Sequence, residues 1–175
     1  MDAYLAVVGK REVRRYEDRP VPEGILTQIL EAGRASGSSR NRQPWKFIVV
    51  TDKAHLRELS GLVARPSNVA DAPAAIVVGL TNPRAQFDGG RTAQNMMLAA
   101  WAFGIGTCPN TPMDEAALKK ALGMPEEMSV PTVLSLGYPA PGERRPQPKR
   151  DPTKALARIN RLPLSDLVHR ERYRG

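Results

Sequence analysis

The order of its periodic segments constrains this chain most: two helical patterns pass before the first run that reads as a strand. Asp2 to Val8 reads as a short helix with Asp2 as its N-cap. Pro22 and Glu23 open a second, whose Ile25, Leu26, Ile29 and Leu30 fall on one helical face and whose frayed end Gly33 and Gly37 mark. Only then comes Trp45, Phe47, Ile48, Val49, Val50, too short and too β-branched for a helix. A parallel nucleotide-binding sheet needs strict strand–helix alternation. This order predicts instead an α+β fold, a central mixed or antiparallel sheet flanked by helices.

Beyond the first strand, Ala54 to Val63 is read as helical, and Ala74 to Leu80 as a buried strand that stops at Asn82 and Pro83. Asp88 is expected to cap a long helix through Phe103, with Gly104 at its end. Ile105 to Cys108 makes a short strand, and Thr111, Pro112, Met113, Asp114 has the pattern of an N-cap followed by a helix that stops near Gly123. Val130 to Gly137 is the last clear strand. Pro139, Pro141, Pro146, Pro148 and Pro152 then forbid regular structure, and Thr153 to Tyr173 is expected to be partly helical, broken at Pro163. With no internal repeat, residues 1–175 read as one domain whose residues 140–175 form a proline-rich, basic C-terminal arm.

The net charge of +8 is concentrated there: residues 140–175 hold ten Lys or Arg against four Asp or Glu. Such a tail suits a phosphate-bearing ligand, nucleic acid or a solvated surface. Nucleic-acid binders interleave aromatic platforms with basic groups, and Tyr138 and Tyr173 alone are a thin supply, which argues against that partner. No run of about 18 apolar residues could span a bilayer, and Met1 leads straight into a mixed segment, so a cytoplasmic protein is expected. The single cysteine, Cys108, cannot form an internal disulfide.

Catalytic side chains are scarce. His55 and His169 lack a metal-ligand partner at helical spacing, no Gly-x-Ser-x-Gly elbow appears, and Gly104 and Gly106 follow a helix rather than a strand, so they are no dinucleotide fingerprint. No metal and no catalytic side chain are assigned. Poverty of this kind points to borrowed chemistry, in which a bound cofactor reacts and the protein orients it.

Four segments, in order, carry a family resemblance. Lys10-Arg11-Glu12-Val13-Arg14-Arg15-Tyr16 resembles the N-terminal Arg-Arg-Ser-x-Arg-x-Phe/Tyr segment of nitroreductases, and Ser38-Ser39-Arg40-Asn41-Arg42-Gln43-Pro44-Trp45-Lys46-Phe47 resembles their Ser-Ser-x-Asn-x-Gln-Pro-Trp-x-Phe motif. Gln94 to Ala100 with Gly104-Ile105-Gly106 is similar to the family's central helix and its exit, and Arg161-Leu162-Pro163-Leu164 to its closing segment. The resemblance implies an FMN-dependent reductase with NADH or NADPH as donor, and a homodimer with flavin at the interface and C-terminal arms exchanged. It implies Arg11, Arg14 and Arg161 on the phosphate, where guanidinium groups form paired charge-assisted bonds, and Lys10 among the cofactor-binding residues. Ser38, Ser39 and Asn41 are implied to come from the partner subunit, with Asn68 or Arg65 at the pyrimidine edge and Cys108 near the ring by position.

Glu12 departs from the family's serine and would repel a phosphate unless it turned away or paired with Arg15 or another arginine. Ile159 stands where relatives carry a second basic residue, for which Arg158 or Lys154 could compensate. A short linker from Pro66 to Ala72 predicts a reduced cover and an open, permissive cavity. The expected activity is two-electron transfer from NAD(P)H to a small conjugated acceptor of nitroaromatic or quinone type. The alternatives are other flavin chemistry on the same fold, namely dehalogenation, dehydrogenation or flavin fragmentation, and a non-catalytic flavin- or nucleic-acid-binding protein.

Overall fold

A computed structural model describes residues 2–148, 151–157, 159 and 161–173. Its centre is β2 (Ala74–Leu80), every residue of which is buried. Pleating sends Ala74, Ile76 and Val78 to one face of the sheet and Ala75 and Val77 to the other, and each set belongs to a separate core cluster. A strand covered on both faces can be apolar at every position, which is why this segment lacks polar alternation.

The other strands are β1 (Trp45–Val50), β3 (Gly106–Asn110) and β4 (Ser129–Gly137), and the sheet runs β1-β2-β4-β3. All three strand pairs are antiparallel. On the first face, Ile76, Val78, Leu134 and Leu136 pack against Leu26 and Ile29 of α2 (Glu23–Arg34) and Ala93, Met96 and Ala100 of α5 (Gln86–Ala102). On the second, Ala75, Val77 and Val133 meet Leu56 and Leu59 of α3 (Lys53–Ser60), Val69 of α4 (Pro66–Ala70) and Leu118 of α6 (Glu115–Ala121). The expected α+β sheet is present, with helices on both faces.

Among the described residues, three short helices lie away from the sheet. Leu5 and Val8 of α1 (Ala3–Gly9) bury Ala155 of α7 (Pro152–Leu156), which joins the first residues of the chain to the start of its arm. Past Pro163, α8 (Leu164–Leu167) buries none of its residues. The segment after α1 lies along the free edge of β3: Glu12 bridges Thr107 in parallel, and the Val13 N–H donates to the Thr107 carbonyl at 3.0 Å. It thereby covers an edge that would otherwise expose unpaired backbone. No helix among the described residues is long and apolar enough to cross a membrane.

Several local expectations are corrected. Asp88 is not the cap of α5, which starts at Gln86; its carboxylate lies inside the first turn, buried, where it favours the helix dipole. The cap of α6 is Asp114, accepting from the Ala117 N–H at 2.8 Å, rather than Thr111. Gly33 is the penultimate residue of α2, at the expected end, but what requires glycine there is the close approach of α5, since a Cβ would meet Met96 at 2.9 Å. The expected linker from Pro66 is the helix α4, opened by proline at its first turn.

Candidate functional site

The expected site residues divide into two groups at opposite edges of the sheet. Lys10 to Arg14 lies beside β3, whereas Ser38 to Asn41 leads into β1. Three strand spacings separate those edges, on the order of 14 Å. Within one chain the groups do not meet.

The first group is a dense polar cluster. Lys10, buried, donates from Nζ to Glu12 Oε2 at 2.7 Å and reaches Met97 Sδ on α5 at 3.5 Å. Glu12 therefore pairs with a lysine, not with Arg15, which bonds Glu143 at 2.8 Å. Arg11 turns its guanidinium onto backbone carbonyls, those of Val8 at 2.8 Å, Lys10 at 2.7 Å and Ala155 at 3.4 Å, and so ties α1 to α7. Arg14 is exposed, and its cation acts on Cys108.

Behind this segment the edge strand presents two faces. Cys108 pairs in register with Ser135, and Thr107 with Leu136, so pleating sends Cys108 toward α4 and Thr107 toward α5. Asn68 on α4 donates to Asn110 Oδ1 at 2.9 Å and approaches Cys108 Sγ at 3.6 Å, while Asn110 Nδ2 bonds the carbonyls of Cys108 and Val133, both at 3.0 Å. Asn68 is thus buried in a structural amide network; Asn110 and Ser135, whose Oγ lies 3.2 Å from Asn110 Nδ2 and 2.9 Å from the Tyr16 hydroxyl, are members the sequence did not reveal. Burial pushes the Cys108 thiol up; the positive charge of Arg14 offsets part of the rise and Glu12 adds to it. Cys108 is accordingly a buried neutral thiol rather than a nucleophile. Thr107 Oγ1 is buried and unsatisfied, alone in this among the described residues.

The second group is a strained turn. Arg40, Asn41 and Gln43 all adopt positive φ, at 52°, 54° and 50°, in a left-handed region that costs a non-glycine residue free energy. Ser38 Oγ accepts from the Gln43 N–H at 2.9 Å, and the Ser39 N–H points to Asp88 Oδ2 at 3.4 Å, which pins the turn. Ser39 and Asn41 remain exposed. Beside them opens a cavity of about 740 Å³ lined by Ser39, Arg42, Thr81, Arg84, Phe87 and Asp88. Nothing in the motif spacing pointed to Arg84, in the turn before α5, or to Phe87, in its first turn.

Farther along the chain, Arg161 is exposed beyond α7, Lys154 is exposed on α7, and Arg158 lies outside the described residues. Arg65, the N-cap residue of α4, is exposed.

An antiparallel sheet covered on both faces thus carries a cation-bearing segment along one edge and a strained, hydroxyl-bearing turn leading into the strand at the other. The nitroreductase family model matches residues 7–79 and 65–138, and the chain belongs to that family. Among its relatives, an NADH dehydrogenase of Thermus thermophilus is 30% identical over 80% of this chain and 88% of its own. An NADPH-flavin oxidoreductase of Vibrio harveyi is 26% identical over 95% of this chain and 72% of its own. The solved structure of an FMN-dependent nitroreductase from Clostridium difficile R20291 superposes with a TM-score of 0.81 at 26% identity, covering 99% of this chain and 100% of the other.

Proposed function

We propose that this flavin-dependent oxidoreductase works as a homodimer, holding FMN between the 10–14 segment of one subunit and the 38–41 turn of the other. It would transfer two electrons from NADH or NADPH to a small conjugated acceptor, nitroaromatic or quinone. The observation that carries the reading is the separation of two ligand-suited half-sites to opposite edges of one sheet. A half-site at each edge becomes useful when a second copy brings the complementary edge.

The residues suit the cofactor by their chemistry. Arg14 offers an exposed guanidinium for phosphate oxygens, and Arg161 a second one from the arm. Ser39 and Asn41 would offer a hydroxyl and an amide to ring and ribityl heteroatoms. Ser38 has a different task, since its hydroxyl already holds the turn. Asn68 and Cys108 would back the site from within rather than touch the ligand, Asn68 by orienting Asn110, whose amide holds the carbonyls of Cys108 and Val133. Bound flavin supplies the redox chemistry, accepting a hydride from the nicotinamide and passing two electrons on. This chain's task is then binding, orientation and partial exclusion of water, and no side chain need act as acid or base.

Purified protein should be yellow or become so on reconstitution with FMN, and anaerobic NADH or NADPH should bleach it. A panel of nitroaromatics and quinones would then rank acceptors. Colourless protein that cannot be reconstituted would overturn the flavin reading; coloured protein bleached by neither donor would overturn the nicotinamide part.

A further inference from the structure

Lys10 carries a partner already. Its side chain is 6% exposed and its ammonium lies 2.7 Å from Glu12 Oε2, while Glu12 is 37% exposed at the outer end of the pair. The other near atom, Met97 Sδ at 3.5 Å, is a weak acceptor. Glu12 thus occupies the side of Lys10 from which a solvent-borne anion would arrive. Arg11, meanwhile, is turned onto three carbonyls. Of the three cations that this segment brings to the β3 edge, Arg14 is the exposed one.

We propose that Glu12 competes with the flavin phosphate for Lys10, so that this chain grips FMN more loosely than its cations would otherwise allow and exchanges flavin with solution. This rests on the flavin reading above. A phosphate monoester carries close to two negative charges, and to bond Lys10 it must displace a carboxylate that stays nearby. The like-charge repulsion acts at short range beside a buried cation, where water screens it poorly. A neutral hydroxyl at position 12 would reverse the effect, donating to the phosphate and releasing Lys10. Riboflavin, lacking phosphate, is indifferent to either residue, which makes the ratio of the two affinities a direct readout of the competition.

The test is fluorescence-quenching titration of the full-length protein with FMN and with riboflavin, for wild type, Glu12→Ser and the near-isosteric Glu12→Gln. Wild type should favour FMN over riboflavin by less than either variant does, and Glu12→Ser should tighten FMN by about ten-fold or more while moving riboflavin less than about two-fold. Glu12→Gln should shift FMN in the same direction and carries the comparison should the serine variant misfold. FMN should also survive desalting better on the variants. Equal changes for both flavins, or no change for FMN, would overturn the competition while leaving flavin binding intact. Absence of any flavin binding by wild type and variants would overturn both readings.

Discussion

Tyr16 shows how one side chain sets the register of the N-terminal segment on the sheet. Its hydroxyl donates to the Val13 carbonyl at 2.7 Å and shares a 2.9 Å hydrogen bond with Ser135 Oγ. Burial raises its pKa well above the ordinary 10.0, and the Ser135 bond offsets only part of the rise. The neutral phenol is therefore favoured in the fold. Its contribution is complete below pH 10, where the unfolded chain is also neutral, and fades as pH rises toward the folded value. Tyr16→Phe should lower urea-measured stability by about 1–2 kcal/mol near pH 8 and flatten the decline between pH 9 and 11. An unchanged alkaline slope would remove Tyr16 as its source. Cys108, buried with its thiol pushed up, should react with iodoacetamide slowly in native protein at pH 8 and rapidly in urea; comparable native and denatured rates would contradict its burial.

Among the elements, β3 and the segment beside it depend on a close approach. A Cβ on Gly106 would stand 2.6 Å from the Cβ of Val13, itself fully buried. Gly106→Ala should cost about 1–3 kcal/mol by chemical denaturation and weaken FMN binding by moving residues 10–14 off the edge. For α6, Asp114→Ala should cost about 1 kcal/mol of stability and Thr111→Ala less, which distinguishes the two candidate caps. Elements whose signal is local were legible: the stripe of α2, the apolar run of β2, the proline-bounded arm. The cap of α6 was not, because Thr111 and Asp114 both suit the role and Pro112 instead bridges Val63 in the turn after α3. Gly33 marked the end of α2, but glycine at a helix end and glycine under a crossing helix look alike until Met96 is in place.

At the scale of the molecule, apolar side chains are left open where the chain's two ends lie. Tyr4 and Val7 on α1 and Leu162, Leu164, Leu167 and Val168 on the arm are all exposed in the single chain. Six large apolar groups at the termini are what an exchanged arm would bury. Sedimentation should report a particle of twice 19.2 kDa. A chain ending at residue 157 should sediment as a monomer and lose flavin, whereas a full-length monomer that still holds flavin would overturn the shared site. Both core clusters are built on β2, so unfolding should proceed as one cooperative calorimetric transition, the mark of one domain; two separate transitions would contradict it.

By itself, the sequence determined what depends on neighbours along the chain: the type and order of the longer helices and strands, that helices precede the sheet, and which motifs could serve a flavin. Tertiary structure decided what depends on partners distant in sequence. It placed residues 10–14 and 38–41 on opposite edges, buried Asn68 among the amides of β3, turned Arg11 onto backbone carbonyls, and paired Glu12 with Lys10 rather than Arg15. Periodicity records which face of an element is apolar. It carries no information on which charged neighbour a side chain finds when the sheet closes, and in this protein the character of the candidate phosphate site turns on that choice.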